Sequence, residues 1–476
     1  MKSVLTRIAL ISFLIILLIP NLTSAEMKTF IKEYTYQASE DDSRNSSRVT
    51  AMREVKRLLL EELGTYLESI TEVKNFQITK DQLTSLTAGI VKTEIIDDKW
   101  DGRTYWIKTK IAADANDVIK SVDKLRKDRE KSRELEETKK RADAILDDNK
   151  KLREELALAK GSAKEKVKQK YDNSIKELSA IEWYESGTAN RIKGNLETAI
   201  QDFSQAITFN SNYVEAYNDR GITYGQLGRY GDAFRDFNKS IELNPYNAET
   251  YNNRGIVYTE FKKYNDAISD YNKSIGLNPN NASSYCGRGD VYAILGKHDD
   301  AISDYSKSIE LNPNYAIVYY NRGTSYANIG KHNDAISDYN VAIELNPKNT
   351  AAYYNRGAAY SRLDKYSDAI YNYSKAVELN PRDAEAYSRR GITYAIIGNM
   401  KNALNDFSHT IKLQPNEANG YYYRAMIYSQ IKQNTDAIKD LKKAIRINPE
   451  LKNDATTNIA FNNIKNAPEF KKLIGK

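Results

Sequence analysis

The hydrophobic pattern changes character three times along the chain. After an apolar run at the start, residues 26–122 mix alternation with helical spacing. Phe30, Tyr34 and Tyr36 fall in a β-leaning stretch, and from Ser39 a stripe of Met52, Val55, Leu59, Leu63, Tyr66 and Ile70, spaced three and four apart, predicts a long helix with one buried face. Thr79 with Gln82 three residues on reads as a capping box for a short helix ending at Ala88-Gly89. Val91–Ile96 and Thr104–Ile111 read as strands joined around Asp101-Gly102, a hairpin signal. These elements predict a small α+β domain.

From Asp123 to Glu177 the apolar residues thin out, with 18 Lys or Arg, 14 Asp or Glu and no proline, which predicts a solvated helix. Leu135, Ala142, Asn149 and Leu156 fall seven apart, and Thr138, Ile145, Leu152 and Ala159 follow each by three. Such a and d positions over residues 135–159 suit a coiled-coil homodimer, with Asn149 setting register and Asp148–Arg153 and Glu155–Lys160 at interhelical spacing. The same residues also suit a single spacer helix over 123–179 that holds two domains apart. Upstream of it, the order strand, helix, helix, hairpin, helix resembles the small envelope domain at the N-terminus of the flagellar assembly T-protein family and related bacterial lipoproteins.

From Ala180 the pattern repeats every 34 residues, in frames opening at Ala180, Val214, Ala248, Ala282, Ala316, Thr350, Ala384 and Ala418 and closing at Leu451. Position 4 is aromatic in all eight frames, from Trp183 to Tyr421; position 11 is tyrosine from Tyr224 to Tyr428; position 20 is always alanine; position 8 is glycine from Gly187 to Gly391. Proline closes seven frames at position 32, from Pro245 to Pro449. This combination resembles the tetratricopeptide repeat, and it covers residues 180–451. The resemblance implies a mainly α fold, a solenoid of helix-turn-helix units stacked into a right-handed superhelix. Glycine inside a helix costs about 1 kcal/mol relative to alanine, so its return at position 8 predicts close helix approach there, as in Gly221 against Ala233. Residues 452–476, with Ile459, Phe461, Ile464, Phe470, Leu473 and Ile474, are expected to cap the last apolar end.

In this family the first helix of each repeat lines a concave groove, with positions 2, 5, 6, 9, 12 and 13 facing a bound segment. Position 6 carries Asp219, Asn253, Asn321 and Asn355, with Gly287 interrupting the asparagines, and position 5 carries Tyr320, Tyr354 and Tyr422. The asparagines resemble part of the ladder in the O-linked N-acetylglucosamine transferase superhelix, where carboxamides hold the main chain of an extended peptide. An amide offers a donor and an acceptor together, so two readings stand: a clamp on a partner's backbone, or bonds inside each asparagine's own repeat. Arginine at position 7 and acid at position 23 predict Arg–Asp pairs between helices in repeats two to five, seven and eight, exposed pairs of about 0–1 kcal/mol each.

Composition narrows the function. Lys2, Arg7, the run Ile8–Ile19 and Thr23-Ser24-Ala25 read as an export signal over residues 1–25, with a periplasmic or secreted mature chain and no membrane span after cleavage. A net charge of +7 spread over interleaved acids and bases gives no nucleic-acid surface. Cys286 is the single cysteine, and His298, His332 and His409 are scattered, so no metal site and no cofactor are expected. Nothing reads as catalytic. The expectation is a non-enzymatic extracytoplasmic scaffold that binds a protein or peptide partner in its groove during envelope complex assembly. The alternatives are a self-associating structural envelope protein and an enzyme using residues 26–122.

Overall fold

The computed structural model describes residues 27–70, 80–88, 90–127 and 129–475; residues 1–25, read as an export signal, and Thr79 and Gly89 lie outside them. Contacts divide the chain into two compact units, Met1–Tyr246 and Asn247–Lys476. The fold is mainly α, with one three-stranded sheet. Among the described residues no helix is long and apolar enough to cross a membrane.

The first unit begins with β1 (Lys28–Gln37), α1 (Arg44–Ile70), α2 (Lys80–Ala88), β2 (Glu94–Trp100) and β3 (Thr104–Ala113). The sheet order is β1-β3-β2 and every pairing is antiparallel, with Tyr34 opposite Ile107 and Trp100 opposite Tyr105. Asp101 builds the hairpin turn by accepting from the Arg103 and Thr104 amides at 2.8 and 2.6 Å, and Gly102 takes the positive φ that the turn requires. The helix expected from Ser39 starts at Arg44 instead. The carboxylate of Asp42 holds Ser39 back in a turn, accepting from its amide at 2.7 Å, while Ser43 and Ser46 exchange bonds across the first helical turn. The stripe of Met52, Val55, Leu59 and Leu63 is buried as its spacing predicts.

Beyond α3 (Ala115–Lys127), the charged stretch is not one exposed rod. It folds back as a hairpin of α4 (Arg129–Leu158) and α5 (Gly161–Ile192), and α5 runs without a break through Ala180 into the first repeat. The positions read as a dimer seam face inward: Leu135, Ala142, Asn149 and Leu156 are all buried within the same chain. Asn149 accepts a bond from Ser174 of α5, and Arg153 pairs with Asp42 at 3.2 Å instead of with a second copy. Heptad spacing marks a helix with a narrow apolar seam, and here the partner helix lies 25 residues further along the same chain. Val49 of α1 joins Leu146, Tyr171, Ile175 and Phe203 in one core, so no spacer holds the sheet domain away from the repeats. Helices Leu196–Phe209, Val214–Gln226 and Tyr230–Leu243 complete this unit.

The second unit stacks six helix pairs whose first members start at Ala248, Ala282, Ala316, Thr350, Ala384 and Ala418. The position-8 glycines meet first the ring at position 24: a Cβ on Gly255 would stand 2.9 Å from Tyr271 and one on Gly289 2.8 Å from Tyr305, and at Gly323 the position-20 alanine, Ala335, also comes near, through its backbone oxygen at 3.2 Å. Tyrosine is abundant because these rings fill the space between the helices of each pair, where Tyr271, Tyr305, Tyr339 and Tyr373 are buried. Arginine and aspartate meet in the six repeats where both occur, in bidentate geometry. Arg254 Nε and Nη2 reach Asp270 at 2.7 and 2.7 Å, and Arg322 reaches Asp338 at 2.8 and 2.7 Å. These are not the exposed pairs expected, because each aspartate side chain is 9% exposed or less. The third nitrogen, Nη1, goes to the preceding repeat, as from Arg322 to Ser306 at 2.9 Å. One side chain thus ties three helices.

Candidate partner-binding groove

In repeats one and two the positions that would face a bound segment are filled by the chain itself. Glu185, at position 6 of repeat one, is buried and accepts from Arg53 of α1 at 3.0 and 3.1 Å and from Lys56. Tyr184 beside it donates to Glu134 of α4 and to Asp219 at 3.0 Å. Asp219 is 1% exposed and also faces Arg191 at 3.7 Å, so it is core and not groove surface. Glu185 thus serves a buried ion pair with α1, while Asp219 faces Arg191 of α5, and both are closed off within this unit.

The other end closes in the same way. Tyr422 is 4% exposed, donates to Asp454 at 3.0 Å, accepts from Asn458 at 3.3 Å and packs edge-on against Phe461 at 5.5 Å. The C-terminal segment, helices Leu451–Thr457 and Pro468–Ile474, therefore occupies the place of a ninth repeat and removes Tyr422 from the groove. The sequence does not show this, because a tyrosine at position 5 looks the same whether solvent or a cap lies over it.

Within the second unit, Asn253, Tyr320 with Asn321, and Tyr354 with Asn355 stand on the first helices of repeats three, five and six and are half-buried. Asn321 and Asn355 bond across repeats and not within their own. Asn321 donates to Asp290, at position 9 of the preceding repeat, at 2.8 Å, and Asn355 donates to the Tyr320 hydroxyl, at position 5 of the preceding repeat, at 3.1 Å. Each amide is thereby oriented with its nitrogen toward the previous helix, and no described residue donates to the side-chain oxygen of either. Asn253 accepts a long bond from Asn252 at 3.4 Å. Tyr354 donates to Glu385 across the next repeat at 3.4 Å. Asp290 was not singled out in the sequence. It accepts from Tyr305 at 2.7 Å and Asn321 at 2.8 Å, with Cys286 at 3.9 Å, and burial raises its pKa against those three donors. Cys286 is buried here and burial raises its thiol pKa well above the usual value, so the sulfur packs beneath the groove as a neutral thiol.

Gly287 breaks the asparagine run for a steric reason. A Cβ there would stand 2.6 to 2.7 Å from Cζ, Cε1 and Oη of Tyr271, a ring that is itself buried and cannot swing clear. Gly287→Asn, which would complete the run by sequence, is expected to destabilise the second unit by about 1–3 kcal/mol in urea unfolding, as overpacked cores do.

Family models described as "TPR repeat" match residues 187–228, 289–330 and 325–364, and "Tetratricopeptide repeat" models match 214–247, 248–281, 350–383 and 418–451. No curated protein matches the chain. Among solved structures, YrrB, titled a TPR protein with an unusual peptide-binding site, is 25% identical over 39% of this chain and 95% of its own, with a TM-score of 0.36. MamA is 29% identical over 34% of this chain and 95% of its own, with a TM-score of 0.33. The C-terminal part of a repeat-containing protein from Cytophaga hutchinsonii is 20% identical over 50% of this chain and 97% of its own, with a TM-score of 0.42.

Proposed function

We propose that this chain, a tetratricopeptide repeat protein, is an adaptor that holds an extended segment of a protein partner along the first helices of repeats three to seven. The repeats themselves are a protein-interaction scaffold. The observation that carries the finer reading is the pair Asn321 and Asn355, whose nitrogens are fixed on the preceding helix while their oxygens stay open on a half-buried, tyrosine-lined face. An acceptor held at one orientation, flanked by rings, suits the N–H groups and side chains of an extended segment whatever its sequence. The export signal supports an extracytoplasmic place for this work, in the assembly of an envelope complex.

Two measurements test the proposal. Alanine at Asn253, Asn321 and Asn355 together is expected to cut recovery of co-purifying partner from envelope extract about tenfold, at a stability cost of about 1 kcal/mol per bond removed. Unchanged recovery would remove the asparagines from the binding surface. For location, the chain produced in a bacterial host should appear outside the cytoplasm with Glu26 as its first residue; an uncleaved cytoplasmic product would overturn the export reading.

A further inference from the structure

Six repeats of the array set the position-7 arginine against an aspartate at position 23, but in repeat six Arg356 meets Asn372. The hydrogen bonds differ accordingly. Arg390 of repeat seven gives Nε and Nη2 to the two oxygens of Asp406, both at 2.8 Å, and Nη1 to Ser374 at 3.0 Å. Arg356 gives Nε to Asn372 Oδ1 at 2.7 Å and Nη1 to Asn340 Oδ1 at 2.6 Å, and no described residue accepts from its Nη2. The Asn372 nitrogen is no substitute acceptor; it donates to the Asp368 carbonyl at 2.8 Å. Nη2 is not among the buried unpaired atoms, so it reaches solvent.

The charge is unbalanced as well. Each of the other six guanidiniums faces a buried carboxylate, which raises its pKa, whereas at Arg356 desolvation lowers it with no carboxylate in reach. A second departure sits at the same place. Position 22 is polar or charged elsewhere, as Gln201, Arg235, Ser269, Ser303, Ser337, Asn405 and Lys439, but in repeat six it is Tyr371, which is 58% exposed. Tyr353 lies under the guanidinium at 5.4 Å, and Tyr371 is near enough to act on its charge.

We propose that repeat six carries a receptor site for a carboxylate side chain of a protein partner, seated on Arg356 Nη2 with Tyr371 packing along its aliphatic stem. Nη2 is the nitrogen that meets a carboxylate oxygen in the sibling repeats; at Arg356 its inner side faces the buried Asn372 amide, which carries no carboxylate, so an incoming acid meets the N–H that opens to solvent. The exposed ring suits an acid carried on a methylene stem better than a bare ion. Arg356 stands on the first helix beside Asn355, but its guanidinium bonds Asn372 and Asn340 on second helices whereas Asn355 bonds Tyr320, so the two share no hydrogen-bond partner.

The full chain, titrated with a fluorescein-labelled hexaglutamate peptide and read by fluorescence anisotropy, tests this. Asn372→Asp, which installs the carboxylate used by the siblings and therefore folds, is expected to weaken binding about tenfold, the loss of one charge-assisted contact. Tyr371→Ser is expected to weaken it about threefold. Equal affinity of wild type and N372D, or an equal loss from the exposed charge change Asn402→Asp, would overturn the site. Displacement of the peptide by inorganic phosphate at lower concentration than by glutarate would overturn its assignment to carboxylates.

Discussion

Glu185→Ala is expected to unfold the first unit far more easily than any surface change in the chain, with a loss of about 3–5 kcal/mol in denaturant unfolding. The carboxylate is the shared partner of Arg53 and Lys56, and all three side chains are less than 10% exposed. Removing it leaves two buried cations short of counter-charge: Asp143, 3.8 Å from Arg53, is half-exposed, and Glu182, which also acts on Lys56 and Arg53, is itself pushed toward its neutral form by burial. Arg53 and Lys56 also line a cavity of about 310 Å³ with Leu60 and Thr84, through which water would reach them and hold the loss to the lower end of that range. Burial alone would raise the Glu185 pKa, but the charges and hydrogen bonds of Arg53 and Lys56 outweigh it and hold the group at about 2, against an ordinary 4.5. A depressed carboxylate stabilises the fold above its unfolded pKa and ceases to as the pH falls toward its folded one. The first unit should therefore lose stability between about pH 4.5 and 2, and Glu185→Gln should flatten that slope. A wild-type slope retained in the glutamine variant would place the acid sensitivity elsewhere.

The repeat array was legible because each 34-residue frame restates the same constraints. Glycine at position 8, an aromatic ring at position 24 and arginine opposite aspartate recur, and local pattern and global packing agree. What the sequence concealed were contacts made once. A heptad seam on α4 specifies that some helix packs there, but Leu135 and Ala142 look the same whether the partner is another copy or α5 of the same chain. Asp219, Glu185 and Tyr422 occupy groove positions by register, yet α1, α4 and the C-terminal segment cover them. Burial by a cap depends on long-range tertiary placement, which a repeat register does not encode. The asparagines on the open face were readable, but their bonding across repeats was not, because it depends on Asp290 and Tyr320 of the neighbouring helix.

The carboxylate that receives the Asn321 bond, Asp290, gives the second large effect, at Tyr305 of its own repeat. Its ring is buried against Gly289, where a Cβ would approach it to 2.8 Å, and its hydroxyl donates to Asp290 at 2.7 Å beneath the groove face. Tyr305→Ala removes both the ring and the donor and is expected to cost the second unit about 3–5 kcal/mol, the range for deleting a buried aromatic. Tyr305→Phe separates the two contributions. It keeps the ring and leaves Asp290 with Asn321 as its one remaining close donor, for about 1–3 kcal/mol at neutral pH. The sign with pH is opposite to that at Glu185. Burial raises the Asp290 pKa above the ordinary 3.8, so its protonated form is the better accommodated one, and losing the Tyr305 hydroxyl raises it further. The Phe variant should therefore recover part of its lost stability as the pH falls through the raised pKa, while the Ala variant, whose main defect is a cavity, should recover little. Urea unfolding of both variants at pH 7 and pH 4.5 checks this; parallel behaviour would mean that Asp290 is not held by Tyr305. Because Asn321 is oriented by the same carboxylate, the Phe variant should also bind partner more weakly without any change on the exposed groove face.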